Sequence, residues 1–461
     1  MMNKKLRILA VLLVLVLLGG GLVAGQSTKQ LAQKYRNANP GESFTVGCIT
    51  WWLGQEYAIM VYQAVEQAAK QMGLKFRGAV ASTESDWIEL TESMIAAGAK
   101  AIVYNVPNMA VMKQVADIAN QNKVFIATYF GYTGDILPGD YGPYWVIDNT
   151  PFSDEQTFIP LTLLMQKMKD AGKTKLLIHQ ASKSAATVST VYINLGVYQA
   201  LQNYPEMKLS GFQYGEWGFE PGRAAAEASL AMSKDYQGMW GANDGQTMGA
   251  LKALKDRGLN IGAFSASRDM ELTTAQEIMK GNFLCTSGFA IPYFGGRLVP
   301  MLYDMCVGEW YPAPDEMLQT GTLDLYGRPG ELEKLAKEAG IDKHPSFNTG
   351  PLKENMEQIL SQMKASPPNY PYDFRLLSLS KCKELGLKYD RHAGGGTFLG
   401  SHDYYFIAKT KKFGGSVEAV RKHVKALHKY FLDISWMTDL KAAKAYAKQF
   451  PPELKVEPNW Q

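Results

Sequence analysis

The sequence predicts an α/β protein: two doubly wound parallel-sheet lobes and then a helix-rich C-terminal extension. Three observations carry this. Short apolar strands alternate with amphipathic helices over residues 44–128. The alternation pauses over a stretch rich in glycine and tyrosine, residues 129–144, and resumes at Asp154. Residues 238–267 read as strand, helix, strand, and such a crossover makes its two strands parallel neighbours.

The chain has 461 residues, too many for a single core, so two or more domains are expected. Hydrophobic residues make up 46% and charged residues 20%, a globular balance that excludes general disorder. A net charge of +4 is small for this length and gives no case for a nucleic-acid partner.

The N-terminus reads as a secretory signal peptide over residues 1–25. Lys4, Lys5 and Arg7 precede an apolar run, residues 8–18; three glycines break it, and Val23-Ala24-Gly25 supplies small residues for cleavage. The alternative is an uncleaved anchor, because the run to Val23 is nearly long enough to span a bilayer; the glycines and small residues favour cleavage. The protein is therefore expected to be periplasmic or secreted, with no stable membrane insertion after cleavage.

Beyond a polar lead-in, strands are expected at 44–50, 75–80, 101–104 and 124–128, with helices at 56–72, 86–97 and 109–121 between them. A short strand, 145–147, leads to a second series: helix 154–170, strand 175–178, helix 188–203, strand 209–213, helix 222–232 and the crossover at 238–267. A strand at 283–287 and a helix at 291–306 follow. The extension contains helical runs at 330–339, 353–363, 417–431 and 439–450. Its glycine run, residues 394–396, lacks the following Lys-Ser/Thr of a phosphate cradle and reads as a loop.

Within the crossover, a strand over 238–242 runs into Asn243-Asp244-Gly245, and a helix starts near Gln246 with Asp244 as its cap and Gly258 as its stop. Polar residues at a strand's carboxyl end open onto the crevice where such sheets bind ligands. This stretch resembles the type I periplasmic sugar-binding proteins, especially the ribose- and galactose-binding group. Their equivalent segment also ends a strand in Asn-Asp and continues into a helix containing Gly-Ala-Leu, here Gly249-Ala250-Leu251. The similarity runs from about residue 44 to residue 308 and is more specific for fold than for ligand. It implies one lobe built from residues 44–148 with 284–310, a second from 150–280, and three crossing segments that form a hinge. Residues 311–461 exceed what that fold needs, and the sequence assigns them no role.

No catalytic constellation is evident. The six histidines lack zinc-protease spacing, and no Gly-x-Ser-x-Gly elbow occurs. The four cysteines, Cys48, Cys285, Cys306 and Cys382, match no metal motif; Cys48 and Cys285 lie in apparent strands and read as buried small apolar residues, and a Cys285–Cys306 bridge stays open. The chain is thus read as a binding protein without metal, cofactor or catalysis. Loops at strand carboxyl ends carry the candidate ligand residues: Trp51, Trp52 and Tyr57, then Asn105, Tyr129 and Phe130, and from the second lobe Trp217, Asn243 and Asp244. Aromatic faces stack on sugars or planar solutes while amides and carboxylates take the polar edge. Consecutive tryptophans diverge, so one of Trp51 and Trp52 is expected to face the crevice.

The resemblance implies that Asn105, Trp217 and Asn243 match ligand residues of the ribose-binding proteins. Gly54, Glu56 and Tyr57 replace an asparagine and paired phenylalanines, and Tyr129-Phe130 replaces an Asp-Arg pair that grips sugar hydroxyls. A second-lobe arginine falls near Val191, an aspartate at Ser265 and a hinge glutamine near Phe289. Free ribose is therefore expected to bind poorly, and a sugar derivative or a less polar, planar solute better. The resemblance also implies a partner: the permease of an ABC importer, or alternatively a receptor kinase that senses the closed form. Protein recovered from its native host should begin close to Gln26; N-terminal sequencing that starts at Met1 or Met2 would establish a retained anchor instead.

Overall fold

The computed structural model describes residues 28–51, 56–129, 136, 138–149, 153–183, 188–288, 295–311, 324–328, 330–344, 347, 370, 372–389, 417–452 and 454. The signal segment, Trp52, Phe130, the helical run at 353–363 and the glycines at 394–396 lie outside them.

The first lobe opens with a short helix, α1 (Thr28–Tyr35), and continues with β1 (Thr45–Trp51), α2 (Glu56–Gln71), β2 (Lys75–Ala81), α3 (Glu84–Ala96), β3 (Ala99–Tyr104), α4 (Met109–Asn122), β4 (Phe125–Tyr129) and β5 (Trp145–Asn149). The five strands form a parallel sheet in the order β2-β1-β3-β4-β5. Both faces are covered, as parallel sheets require. Alternate strand residues divide between them: Val46 and Cys48 pack under α2, and Ile49 packs under α3 and α4. Local signals set the helix starts. Thr83 and Asp86 form a capping box on α3, and the Asn108 side chain caps α4.

The second lobe contains α5 (Ser153–Asp170), β6 (Lys175–Gln180), α6 (Val188–Leu201), β7 (Lys208–Tyr214), α7 (Phe219–Met232), β8 (Gly238–Gly241), α8 (Asp244–Asp256), β9 (Ser265–Arg268), α9 (Leu272–Met279) and β10 (Cys285–Gly288). Its sheet runs β11-β10-β9-β8-β6-β7, where β11 (Asp324–Gly327) comes from the extension and pairs antiparallel with β10. Two expectations need correction, and the open question of the cysteines is answered. The strand near 283–287, assigned to the first lobe, pairs with β9 in the second sheet; only the next helix, α10 (Leu298–Cys306), packs on the first lobe. Cys285 and Cys306 therefore sit in different lobes, and all four cysteines are free and buried. The strand expected at 261–266 begins later, because residues Gly262–Phe264 form a 3₁₀ turn that delays it to Ser265.

The extension is shared between the lobes. Beyond β11, α11 (Glu331–Ala339) packs on α5, where Lys167 Nζ lies 2.6 Å from Glu331. Tyr370 and residues 372–385, ending in α12 (Leu379–Leu385), return to the first lobe. There Gln67 and Gln71 hydrogen-bond the 370–374 backbone, and the buried Asp304 carboxylate accepts from the Leu379 and Ser380 N–H groups. Burial pushes Asp304 up to about 6. α13 (Val417–Phe431) and α14 (Leu440–Ala447) then pack on the second lobe. The chain thus passes between lobes after β5, after β10 and after α10, as the three-segment hinge requires, and twice more within the extension.

Two glycines set the packing of α7 on α8. A Cβ at Gly249 would land on the Phe219 carbonyl oxygen, and one at Gly222 on the Gln246 backbone. The glycine of the Gly-Ala-Leu motif is thus required by close helix approach. Gly249→Ala should lower stability by about 1–3 kcal/mol through forced separation of these helices. Thermal unfolding measures it, and an unchanged midpoint would show that the pair tolerates the methyl group.

Candidate functional site

The order β2-β1-β3-β4-β5 reverses direction at β1, and the second sheet does so at β6. Crevices at carboxyl ends beside such reversals are where ligands bind. The second-lobe edge is built around Asp244. Asn243 caps α8: its Oδ1 accepts from the Gln246 N–H at 3.0 Å and its Nδ2 donates to the Trp217 carbonyl at 2.9 Å. Its side chain is thereby committed to the scaffold, and Asn243, not Asp244, is the cap. The Asp244 carboxylate is fully buried. It accepts from the Ser267 hydroxyl, from Thr286 Oγ1 at 2.8 Å and from the Glu271 N–H at 2.7 Å. Burial raises its pKa to about 7 against these hydrogen bonds, with the Asp269 charge adding to the rise.

Sequence reasoning missed the residues beside it. The pairing Trp240↔Ala266 sets Asn243 level with Asp269, three residues further along each chain. Ser265, matched by resemblance to a ligand aspartate, instead lies at the amino end of β9. The crevice edge holds Arg268 and Asp269. Arg268 is 1% exposed; its Nη2 lies 3.6 Å from Asp269 Oδ1, and its Nε and Nη1 meet no hydrogen-bond partner. Asp269 Oδ1 likewise accepts no hydrogen bond. Burial lowers the arginine and raises the aspartate, while each charge favours the other's ionised form.

Backbone strain marks the same edge. Glu216 and Trp217, after β7, have φ of 45° and 64°; Asp269 and Met270, after β9, have 114° and 64°. Four of the five non-glycine residues at positive φ among those described therefore sit on two crevice loops, as strain at functional sites does. Gln246 Oε1 accepts from the Trp217 N–H at 3.3 Å, and Glu216 accepts from the Ser182 hydroxyl and from the Lys183 N–H at 3.2 Å, fixing the first loop.

In the first lobe, Tyr57 is the residue that faces this group. Burial pushes its hydroxyl well up, and it lies within electrostatic reach of Tyr129, Asp269, Arg268 and Asp148. Tyr129 is fully buried, its hydroxyl 2.9 Å from Thr50 Oγ1, and its carbonyl accepts from Asn105 Nδ2 at 3.0 Å. Tyr129 is therefore a core residue behind the crevice, and Asn105 anchors the β4 end. Trp51 turns to the α3 face and stacks on Trp87, centroids 6.1 Å apart and planes 12° from parallel, leaving it 36% exposed. The buried Asp148 carboxylate accepts from Thr128 Oγ1 at 2.6 Å. Among the described residues no cluster of His, Cys, Asp or Glu has the arrangement to hold a metal ion, and no helix is long and apolar enough to cross a membrane.

Comparison with known proteins places this architecture. Residues 46–309 match the family described as periplasmic binding protein domain. The fold is similar to the periplasmic binding protein of an arabinose ABC transporter from Shewanella sp. ANA-3, bound to L-arabinofuranose: TM-score 0.54 and 22% identity over 66% of this chain and 99% of that one. It is also similar to a periplasmic sugar-binding protein from Pseudomonas fluorescens, with TM-score 0.54 and 17% identity over 74% and 96%. A third is a solute-binding protein from Actinobacillus succinogenes 130z with bound D-allose, with TM-score 0.53 and 15% identity over 63% and 99%. No curated protein sequence matches the chain.

Asp244 gives the site a pH signature. Its folded pKa lies above its unfolded one, so the folded state holds this proton more tightly. The stabilisation is complete below about pH 4 and is lost as pH rises to about 7. Asp244→Asn removes this dependence. Between about pH 5 and about pH 8 the unfolding free energy of the wild type should fall relative to that of the variant by roughly 2–3 kcal/mol. Parallel urea titrations check it; equal pH slopes would mean that Asp244 stays ionised.

Proposed function

This chain belongs to the periplasmic binding protein family, and we propose that it captures a sugar between its two lobes and delivers it to an ABC importer. One observation carries the sugar reading: beyond their mutual 3.6 Å ion pair, Arg268 Nε and Nη1 and Asp269 Oδ1 are buried at the crevice edge without hydrogen-bond partners, facing Tyr57 of the opposite lobe. Leaving such groups unpaired costs about 1–3 kcal/mol each, so a ligand that supplies hydroxyl groups regains that energy. A guanidinium donates to hydroxyl oxygens while a carboxylate accepts their protons, and adjacent hydroxyls on one ring satisfy both. The relatives bound to arabinofuranose and allose agree with this chemistry.

The pair restores polar grip that the sequence comparison placed elsewhere, which weakens the case for a planar, less polar solute. Tyr57 supplies an aromatic face from the first lobe and Trp217 one from the second. Contact with both lobes is what couples binding to hinge closure, since the closed state then gains interactions that the open state lacks. Asn105, Asn243 and Asp244 act in this reading by holding the loops, and the exported location follows from the N-terminal segment.

Calorimetric titration against a panel of pentoses and hexoses tests the proposal. One sugar should bind, and Arg268→Ala and Asp269→Asn should each weaken it by about 1.5–3 kcal/mol, roughly ten- to hundredfold. Binding of that sugar with unchanged affinity in both variants would move the site away from this pair.

A further inference from the structure

Two helices point their N-termini at each other across the crevice, and each is capped by a carboxylate from the opposite lobe. Glu56, the first residue of α2, accepts from the Leu272 N–H at 2.8 Å, from the Thr273 N–H at 3.4 Å and from Thr273 Oγ1 at 3.3 Å. These donors form the first turn of α9, where backbone N–H groups have no partner within their own helix. Glu271 occupies the cap position of α9 but makes no side-chain bond to that helix. Its carboxylate accepts instead from the Tyr57 N–H, in the first turn of α2. An ordinary cap is local and survives any movement of its helix. These two exist only while the lobes are together, and parting the lobes exposes both helix ends at once.

We infer that Glu56 and Glu271 are positioning residues of closure: they set the open–closed equilibrium, and through it ligand affinity, without touching the ligand. The link to affinity rests on the sugar-capture reading, whereas the latch does not. Burial raises the Glu271 pKa and the neighbouring Asp244, Asp269 and Glu56 add to the rise, while the Arg268 cation lies beside Asp269. Glu56 also faces Tyr370 of the extension. Glu271 is therefore surrounded mainly by like charge, and Glu56 is the cleaner position to alter.

The test uses ligand-free protein, so an error in the sugar assignment leaves it unaffected. Dyes on Lys113→Cys in α4 and Glu220→Cys in α7, both exposed positions on opposite lobes, report inter-lobe distance by single-molecule energy transfer; the native cysteines are buried. The wild type should populate a short-distance state. Glu56→Ala should raise the open-to-closed ratio roughly fivefold, and Glu56→Gln, which keeps an acceptor oxygen, should recover part of it. Thr273→Val removes one donor from the other side of the contact without entering the core and should raise the ratio roughly twofold, so the inference does not depend on Glu56→Ala folding well. Unchanged ratios in both Glu56→Ala and Thr273→Val would overturn it.

Discussion

A buried carboxylate organises the second lobe's edge. Asp244 stands at the first turn of α8, where the helix N-terminus favours negative charge, and it ties three chain segments together: Ser267 on β9, Thr286 on β10 and the backbone before α9. Everything the crevice presents from this side hangs on that knot. The strained turn at Asp269 and Met270 is held between Asp244 below and the Ser287 carbonyl, which accepts from the Asp269 N–H at 2.7 Å. Such a backbone conformation persists only where its surroundings over-determine it. The geometry that leaves Arg268 Nε and Nη1 and Asp269 Oδ1 without hydrogen-bond partners is thus fixed by the scaffold.

Much of the fold was legible in the sequence because hydrophobic period and glycine stops are local signals. The strand–helix alternation, the pause after β4 and the crossover from β8 to β9 follow from them directly. The site was less legible. Asn243 read as a ligand residue because it ends a strand; that it also caps α8 and anchors the Trp217 loop was not legible, since a capping asparagine leaves the same sequence mark. Tyr129 looked exposed for the same reason and is core. Arg268 and Asp269 were passed over because the 3₁₀ turn at Gly262–Phe264 displaces β9 by several residues, and a shift of register along a strand changes which side chain reaches its end. The cross-lobe role of Glu56 could not be read at all, since its partners lie more than two hundred residues away.

The extension changes the mechanical character of the pair of lobes. α13, packed on the second lobe, places the Arg421 guanidinium 2.8 Å from Asp140, in the segment between β4 and β5 of the first. The Ile434 N–H donates to Gln180 Oε1 at 2.9 Å, at the carboxyl end of β6, so this part of the extension lies beside the crevice. A partly exposed ion pair contributes little energy by itself. Its position matters more: it joins a pair of segments different from those joined by the Glu56 contact, so the lobes are tied through more than one pair of elements.

The repeated traffic of the chain between lobes also has a consequence for how the protein is made. Tyr370 exchanges hydrogen bonds with Gln67 and the Phe374 N–H donates to Gln71 Oε1, each across 303 residues of sequence, and Leu209 waits for Thr438. Neither lobe can complete its surface until the last quarter of the polypeptide has emerged, so early segments must remain without their final partners throughout synthesis. Contacts of such separation slow the search for the native state and prolong the exposure of apolar surface. In any exported chain such a delay is useful, because the polypeptide stays incompletely folded for as long as it must still be threaded.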